Sequence, residues 1–503
     1  VSYGLRWEPY LAVYSKYGQF MHFDQDRFTQ GLKSQVYVNA PAGMTYPGDP
    51  TYTPGRSVEN NKYLKFGPRL GMVWDPKGDG RMTIRAAFGV FNDRQHAFSL
   101  NFIAQNQPFG YQLQPTNPNL TNPWVNYAGG NPFPLNTGKD AAFQTFGSVI
   151  NHPLDLQPTY LNQWNFSIQR QVGTNWLLTA NYVGNNTVHL TTSNQYNYAR
   201  YLGTGACTLQ TVNAAGQVVA SPQAVCSTVG NQNLRRVLYL QNPLQGQYFA
   251  GVPTVDDGGT ATYEALFLSV QKRISNGLSI LANHTWSHCI SDVFDTQTGA
   301  QGASAAAIPG NRQAYHGNCG TSDQRHLFNL SLVASTPTFS NRKLRLAATG
   351  WQISTILRLQ SAREFTVTSG LDAALSAQPG QTPNLNPAVN PYIDNRNACV
   401  SAPCVSWLAP ASAGAFLPAA SGTYGNLGYN NLKGPGVATL DMNITRSFRL
   451  RERMALQFRA EAFNLPNLTN LSNPTSALNS GNFGLITAAG DPRIVQFAMK
   501  FVF

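Results

Sequence analysis

The last ten residues, Ile494-Val-Gln-Phe-Ala-Met-Lys-Phe-Val-Phe503, constrain the fold more than any other stretch. Val495, Phe497, Met499, Phe501 and Phe503 are large and apolar at every second place, with Gln496, Ala498 and Lys500 between them. Successive side chains of a strand point to opposite faces, so this segment has one apolar face and one mixed, polar face. Its apolar face needs cover, either from a second layer of protein or from lipid.

The same period of two recurs along the whole chain. Segments near 1–10, 63–75, 82–93, 161–173, 176–187, 262–274, 277–288, 326–337, 348–362, 437–449, 453–465 and 494–503 all show it. In 348–362, for example, Trp351, Ile353, Leu357 and Leu359 oppose Gln352, Ser354, Arg358 and Gln360. The links between segments alternate in length. Pro76–Gly80, Gly173–Asn175, Ser275–Gly277 and Arg449–Glu452 read as tight turns, in which Gly and Asn supply the positive φ that hairpins need; the link near 338–347 is somewhat longer. Between these pairs lie long stretches, 11–62, 94–160, 188–261, 289–325, 363–436 and 466–493, which show turn chemistry and no apolar period and are expected to be mostly irregular.

A soluble sandwich would give the same two-faced strands, but connections within soluble folds are mostly about 4–6 residues. A propeller needs regular four-stranded repeats, and the spacing here is irregular. Alternating short and long links predict an all-β, antiparallel transmembrane β-barrel, with short periplasmic turns at one rim and long extracellular loops at the other. On this reading Val495, Phe497, Met499, Phe501 and Phe503 belong to the barrel-closing strand, whose partner is expected upstream of Val1. Trp7, Trp74, Trp164, Trp176, Trp286 and Trp351 fall mostly near strand ends, where an interfacial girdle places them.

Composition agrees. Only 12% of residues are charged, against about 25% in soluble domains. No stretch approaches the roughly 20 continuous apolar residues of a membrane helix. The net charge of +12 raises the question of nucleic acid. The basic residues are not gathered with stacking aromatics, however. Lys77, Arg81, Lys272, Arg273, Arg342, Lys343, Arg345, Arg449, Arg451 and Arg453 sit near expected short links, where they face headgroups or solvent. No nucleic-acid partner is expected. The chain opens directly on a strand pattern, Val1-Ser-Tyr-Gly-Leu-Arg-Trp7, and is expected to be part of a longer precursor.

The six cysteines fall two to a long loop: Cys207 with Cys226, Cys289 with Cys319, and Cys399 with Cys404. Three disulfides within loops are expected, in an oxidising compartment. Metal ligation is the alternative, although none of the pairs has a CxxC spacing. His284-Thr-Trp-Ser-His288 has the spacing of a helical metal pair, but on a strand these residues read as outward residues near a rim. Arg459 and Glu461, with Asp441 on the preceding strand, read as an inward charge network. No phosphate loop, nucleophile elbow or supported Cys–His dyad is present, so no enzyme activity, catalytic residue, metal site or cofactor is expected.

Several stretches resemble the barrel of TonB-dependent outer-membrane receptors, specifically the Oar-like branch. They are Phe66-Gly-Pro-Arg-Leu-Gly-Met-Val-Trp-Asp-Pro76, Arg85–Phe91, Gln163–Arg170, Gln271–Ser279, Ser322–His326, Gly434–Asp441, Phe458–Asn464 and Asp491–Ile494, in family order. The resemblance implies a 22-stranded barrel around a plug, energised through TonB, that moves a large or scarce solute across the outer membrane. It implies outer-membrane lipid, the barrel-assembly machinery at the C-terminal strand, TonB through the plug and an unknown transported ligand as partners. Residues 1–503 would then form the C-terminal portion of the barrel, about twelve strands, with the plug and N-terminal domain outside this stretch. A structural or adhesive surface barrel with disulfide-tied loops, or a plugless channel, are the alternatives.

Overall fold

The computed structural model describes the chain except residues 95–102, 111–118, 126–129, 132, 148, 276, 293–307, 321–322, 394–404 and 452–453. Cys399, Cys404, Asn276, Ser322, Glu452 and Arg453, and parts of the 94–160 loop, therefore lie outside the described residues.

Twelve strands follow one another in a single antiparallel sheet in chain order. They are β1 (Ser2–Trp7), β2 (Phe66–Trp74), β3 (Met82–Asn92), β4 (Tyr160–Val172), β5 (Trp176–Gln195) and β6 (Pro253–Ser275). There follow β7 (Leu278–Ser291), β8 (His326–Ser335), β9 (Trp351–Gln360), β10 (Val437–Arg451), β11 (Met454–Phe463) and β12 (Ile494–Val502). Among the described residues β1 pairs only with β2 along this path, and β12 only with β11, so the sheet does not close on itself.

Register carries one apolar face from edge to edge. Tyr3 faces Leu70, and Leu70 faces Phe88. Phe88 faces Trp164, and the next row down runs through Phe166, Tyr182 and Leu266. At the far side Leu330 faces Leu357, Leu357 faces Leu440, and Ala460 faces Phe497. A slip of one residue in any pair would turn a whole row of these side chains to the polar face, so the apolar rows fix the register.

The turns follow their chemistry. In the β2–β3 link the Asp75 carboxylate accepts from the backbone N–H groups of Lys77, Gly78 and Gly80 at 3.2, 3.0 and 2.7 Å. Gly78 and Gly80 take φ of 67° and 70°, which a side chain would resist. The β8–β9 link holds a short helix, Arg342–Ala348, capped by the Asn341 side chain, which accepts from the N–H groups of Lys343 and Leu344.

Among the described residues the long loops are mostly irregular in backbone, as expected, except 188–261, which is largely regular. Strands β5 and β6 continue well beyond the alternating segments at 176–187 and 262–274, pairing as far as Gln195 and Pro253. The run from Thr191 to Asn194 is polar on both faces, so its sequence carries no two-faced signal although its backbone is paired. Above the sheet the loops pack around buried cores. Met21, Phe23 and Phe28 meet Val149, Leu238, Phe249 and Val252, joining three long loops in one body. Phe365, Val367, Trp407, Leu408, Phe416 and Leu432 meet Phe483 and Ile486, joining two more. Arg235 and Asn430 stitch the loops together: Arg235 Nη1 donates to the Leu375 carbonyl at 3.1 Å, and Asn430 Nδ2 to the Asn318 carbonyl at 2.8 Å.

Candidate functional site

A chain built this way can act in two places, the polar face of the sheet and the loop cap above it. The polar face holds Arg69, Arg85, Arg358, Arg459 and Lys500 against Asp441 and Glu461. Arg85 Nη1 donates to Gln169 Oε1 at 2.9 Å, and Asn165 Nδ2 to Asn181 Oδ1 at 2.7 Å. A cavity of about 550 Å³ lies against β1–β4, with Gly71, Ala87 and Gly89 among the residues lining it. Arg69, Phe91, Gln163 and Asn165 also line it. The Arg69 guanidinium stands 4.5 Å from the Phe91 ring centroid, and the bare Cα of Gly89 gives that ring its room.

The network around Glu461 differs from the sequence expectation. Arg459 Nη1 does lie 4.0 Å from Glu461 Oε1. The cross-strand partner of Glu461 is Asn443, however, whose Nδ2 donates at 2.7 Å, and Gln496 Nε2 donates from β12. Asp441 stands apart from them. Its Oδ1 accepts from the backbone N–H of Asn464 at 2.8 Å, capping the point where β11 ends and Asn464 turns to positive φ. Register decides this, because Glu461 is opposite Asn443 rather than Asp441.

In the cap, Cys207 and Cys226 are bonded with Cα atoms 5.2 Å apart, and Cys289 and Cys319 with Cα atoms 5.4 Å apart. Cys289 is not in a loop, as its place in 289–325 suggested. β7 runs on to Ser291, so this bridge ties a strand to the Gly317–Asn318 ladder beside it. Cys207 likewise opens a small hairpin, Cys207–Val212 with Val218–Gln223. Cys399 and Cys404 lie outside the described residues.

The histidine motif splits. His288 Nε2 stands 3.0 Å from Asn318 Oδ1, while His284 turns to His326, a residue its spacing did not suggest. Only register reveals that pair, since His326 is the first residue of the neighbouring strand. Where the cap meets the strands, a second cavity of about 470 Å³ is lined by Asp155, Asp256, Asp257 and Arg312 among others. Arg312 Nε donates to Asp256 Oδ2 at 2.8 Å. Hydrogen bonds from Asn60 and Lys62 hold the Asp155 carboxyl below its usual range.

The six strand tryptophans sort into two rows. Trp74, Trp176 and Trp351 adjoin short links, and Trp7, Trp164 and Trp286 lie toward the long-loop ends. On β5 the two rows are eight residue steps apart, from Trp176 to Gly184 opposite Trp164. That is about 27 Å along a strand, the scale of an apolar membrane band about 25 Å tall.

Residues 1–496 match the sequence profile of the outer membrane beta barrel domain. The chain belongs to that family. The protein is thus a bacterial outer-membrane barrel, its apolar face toward lipid and its polar face inward. Among solved structures it is similar to the outer membrane transporter YddB from Escherichia coli, at 10% identity and a TM-score of 0.43, over 88% of this chain and 41% of that one. It is similar to the P. aeruginosa protein FpvA, solved with bound pyoverdines, at 10% identity and a TM-score of 0.37, over 89% and 34%. The siderophore receptor PirA from Acinetobacter baumannii gives 10% identity and a TM-score of 0.37, over 88% and 41%. The barrel chain thus spans less than half the length of these structures. Among curated proteins none matches it.

Proposed function

We propose that this outer-membrane barrel is the C-terminal portion of a TonB-dependent receptor of the Oar-like branch, taking up or exporting a large or scarce solute. The observation that carries the reading is the set of receptor-like motifs in family order, from Phe66–Pro76 to Asp491–Ile494. Most of their described residues lie on a sheet with one polar face, beside loops packed around buried cores. In that reading a plug fills the polar lumen, TonB delivers energy through the plug, the cap captures the solute outside, and β12 engages the assembly machinery. The disulfide-tied cap favours a second reading, an adhesive surface barrel that transports nothing.

Solute depletion from defined medium separates them. Intact cells should deplete at least one solute that cells lacking this gene do not. That depletion should stop on adding a protonophore or deleting TonB. Equal depletion with and without the gene removes transport altogether, and gene-dependent depletion that survives the protonophore indicates a passive channel.

A further inference from the structure

His284 and His326 lie on the lipid-facing side of adjacent strands, close to the loop-side tryptophan row. His326 sits directly across from Trp286, and His284 across from Phe328, so the two imidazoles form a diagonal cross-strand pair. Their planes are within 7° of parallel, their centroids are 5.5 Å apart, and Nδ1 of His326 stands 3.4 Å from Nε2 of His284. Two imidazole nitrogens bound to one tetrahedral metal ion at about 2.0–2.1 Å would themselves stand about 3.3–3.4 Å apart. The strands therefore already hold these two nitrogens at the separation a shared metal ion needs.

We propose that His284 and His326 form a two-histidine site for a divalent first-row transition-metal ion on the outer wall of the barrel. No net proton is lost on loading the neutral pair. The ring that holds the proton between the two facing nitrogens moves it to its own other nitrogen, and both facing nitrogens become the ligands. Among the described residues no third histidine, cysteine or carboxylate joins them, so water completes the coordination. Such a site follows the usual affinity order, with Cu²⁺ bound most tightly. The ion would clamp β7 to β8 at the rim from which the bridged loop 292–325 departs.

The test titrates Cu²⁺ into the full-length protein without a histidine tag in detergent micelles, followed by electron paramagnetic resonance. Wild-type protein should bind one equivalent with coupling to two imidazole nitrogens. His284→Ala and His326→Ala should each weaken that equivalent at least about tenfold, since even outer partners of a ligand are worth about that much. His326→Gln, which keeps a hydrogen bond to His284 but supplies no imidazole, should weaken it equally. His288→Ala should leave it unchanged. Heat-modifiable gel mobility confirms that each variant is folded. Indistinguishable Cu²⁺ titrations for folded wild type and all three variants at His284 and His326 would overturn the proposal, leaving a plain hydrogen-bonded pair at the rim. So would loss of the signal in folded His288→Ala.

Discussion

Arg235 is completely buried and has no carboxylate partner within its hydrogen bonds. Its guanidinium donates to the carbonyls of Arg200, Leu375 and Thr228 and to Asn231 Oδ1, so its charge is spread over dipoles from two loops. Removing it leaves those acceptors buried and unmet at roughly 1–3 kcal/mol each. Arg235→Ala should therefore lower cap stability by about 3 kcal/mol or more, read as new trypsin cuts within 196–252 and 361–436. His22 makes a pH prediction. Burial pushes its pKa below the ordinary value, although Nδ1 lies 3.1 Å from the His152 carbonyl and favours the donor form there. A base whose folded pKa is depressed takes up its proton more readily in the unfolded chain, so stability is complete above about pH 6.5 and falls as pH drops below it. Near-UV circular dichroism melts at pH 8 and pH 5 should differ for wild type and differ less for His22→Gln. The buried phenols of Tyr10, Tyr46 and Tyr52 are pushed above their usual range, so they subtract stability as pH rises past about 10.

Strands, turns and bridges set the next level. Gly184 on β5 is the point where Trp164 of β4 and Glu264 of β6 lean over one bare backbone; a Cβ there would overlap both. Gly184→Ala should cost about 1–3 kcal/mol by displacing the indole from the loop-side row, seen as a lower temperature for loss of the folded gel band. Reducing the Cys289–Cys319 bridge, or the paired change Cys289→Ser with Cys319→Ser, should cost about 3 kcal/mol and expose the 292–325 loop to proteases while leaving the sheet folded. The strands were legible because period-two alternation survives without any knowledge of partners. All twelve alternating segments correspond to paired strands. Their loop-side ends were not always legible, because past the membrane band neither face meets lipid; β5 and β6 run on there as polar ladders. The Glu461–Asn443 contact and the His284–His326 pair needed register, which spacing within one strand does not contain.

For the whole molecule, the sequence showed which segments cross the membrane and hid the body above it. The cap's core residues, such as Phe28, Val149, Leu238 and Phe249, recur at no fixed interval and come from loops far apart in the chain. No local pattern marks them, so those loops read as irregular. Phe249→Ala should cost about 3–5 kcal/mol, as for other large buried aromatics, and should loosen three loops together. Hydrogen exchange should then rise in 21–46, near 149 and in 237–252 at once, with protection in β7–β12 unchanged. A rise confined to 237–252 would mean the three loops do not form one body.

The same long-range cores govern how the molecule can be assembled. Met21 and Val252 share one cluster although more than two hundred residues separate them, so the cluster is not complete until the loop that ends at the start of β6 is in place. The first loop therefore precedes part of its own core in chain order. Its aromatic residues stay uncovered until the last of the three arrives. Closing so distant a contact is slow, because the entropy of loop closure must be met first. During that interval the loops are open to surface proteases, and a mutation that delays insertion of β5 or β6 would be paid for in cleavage of the first loop, far away in sequence.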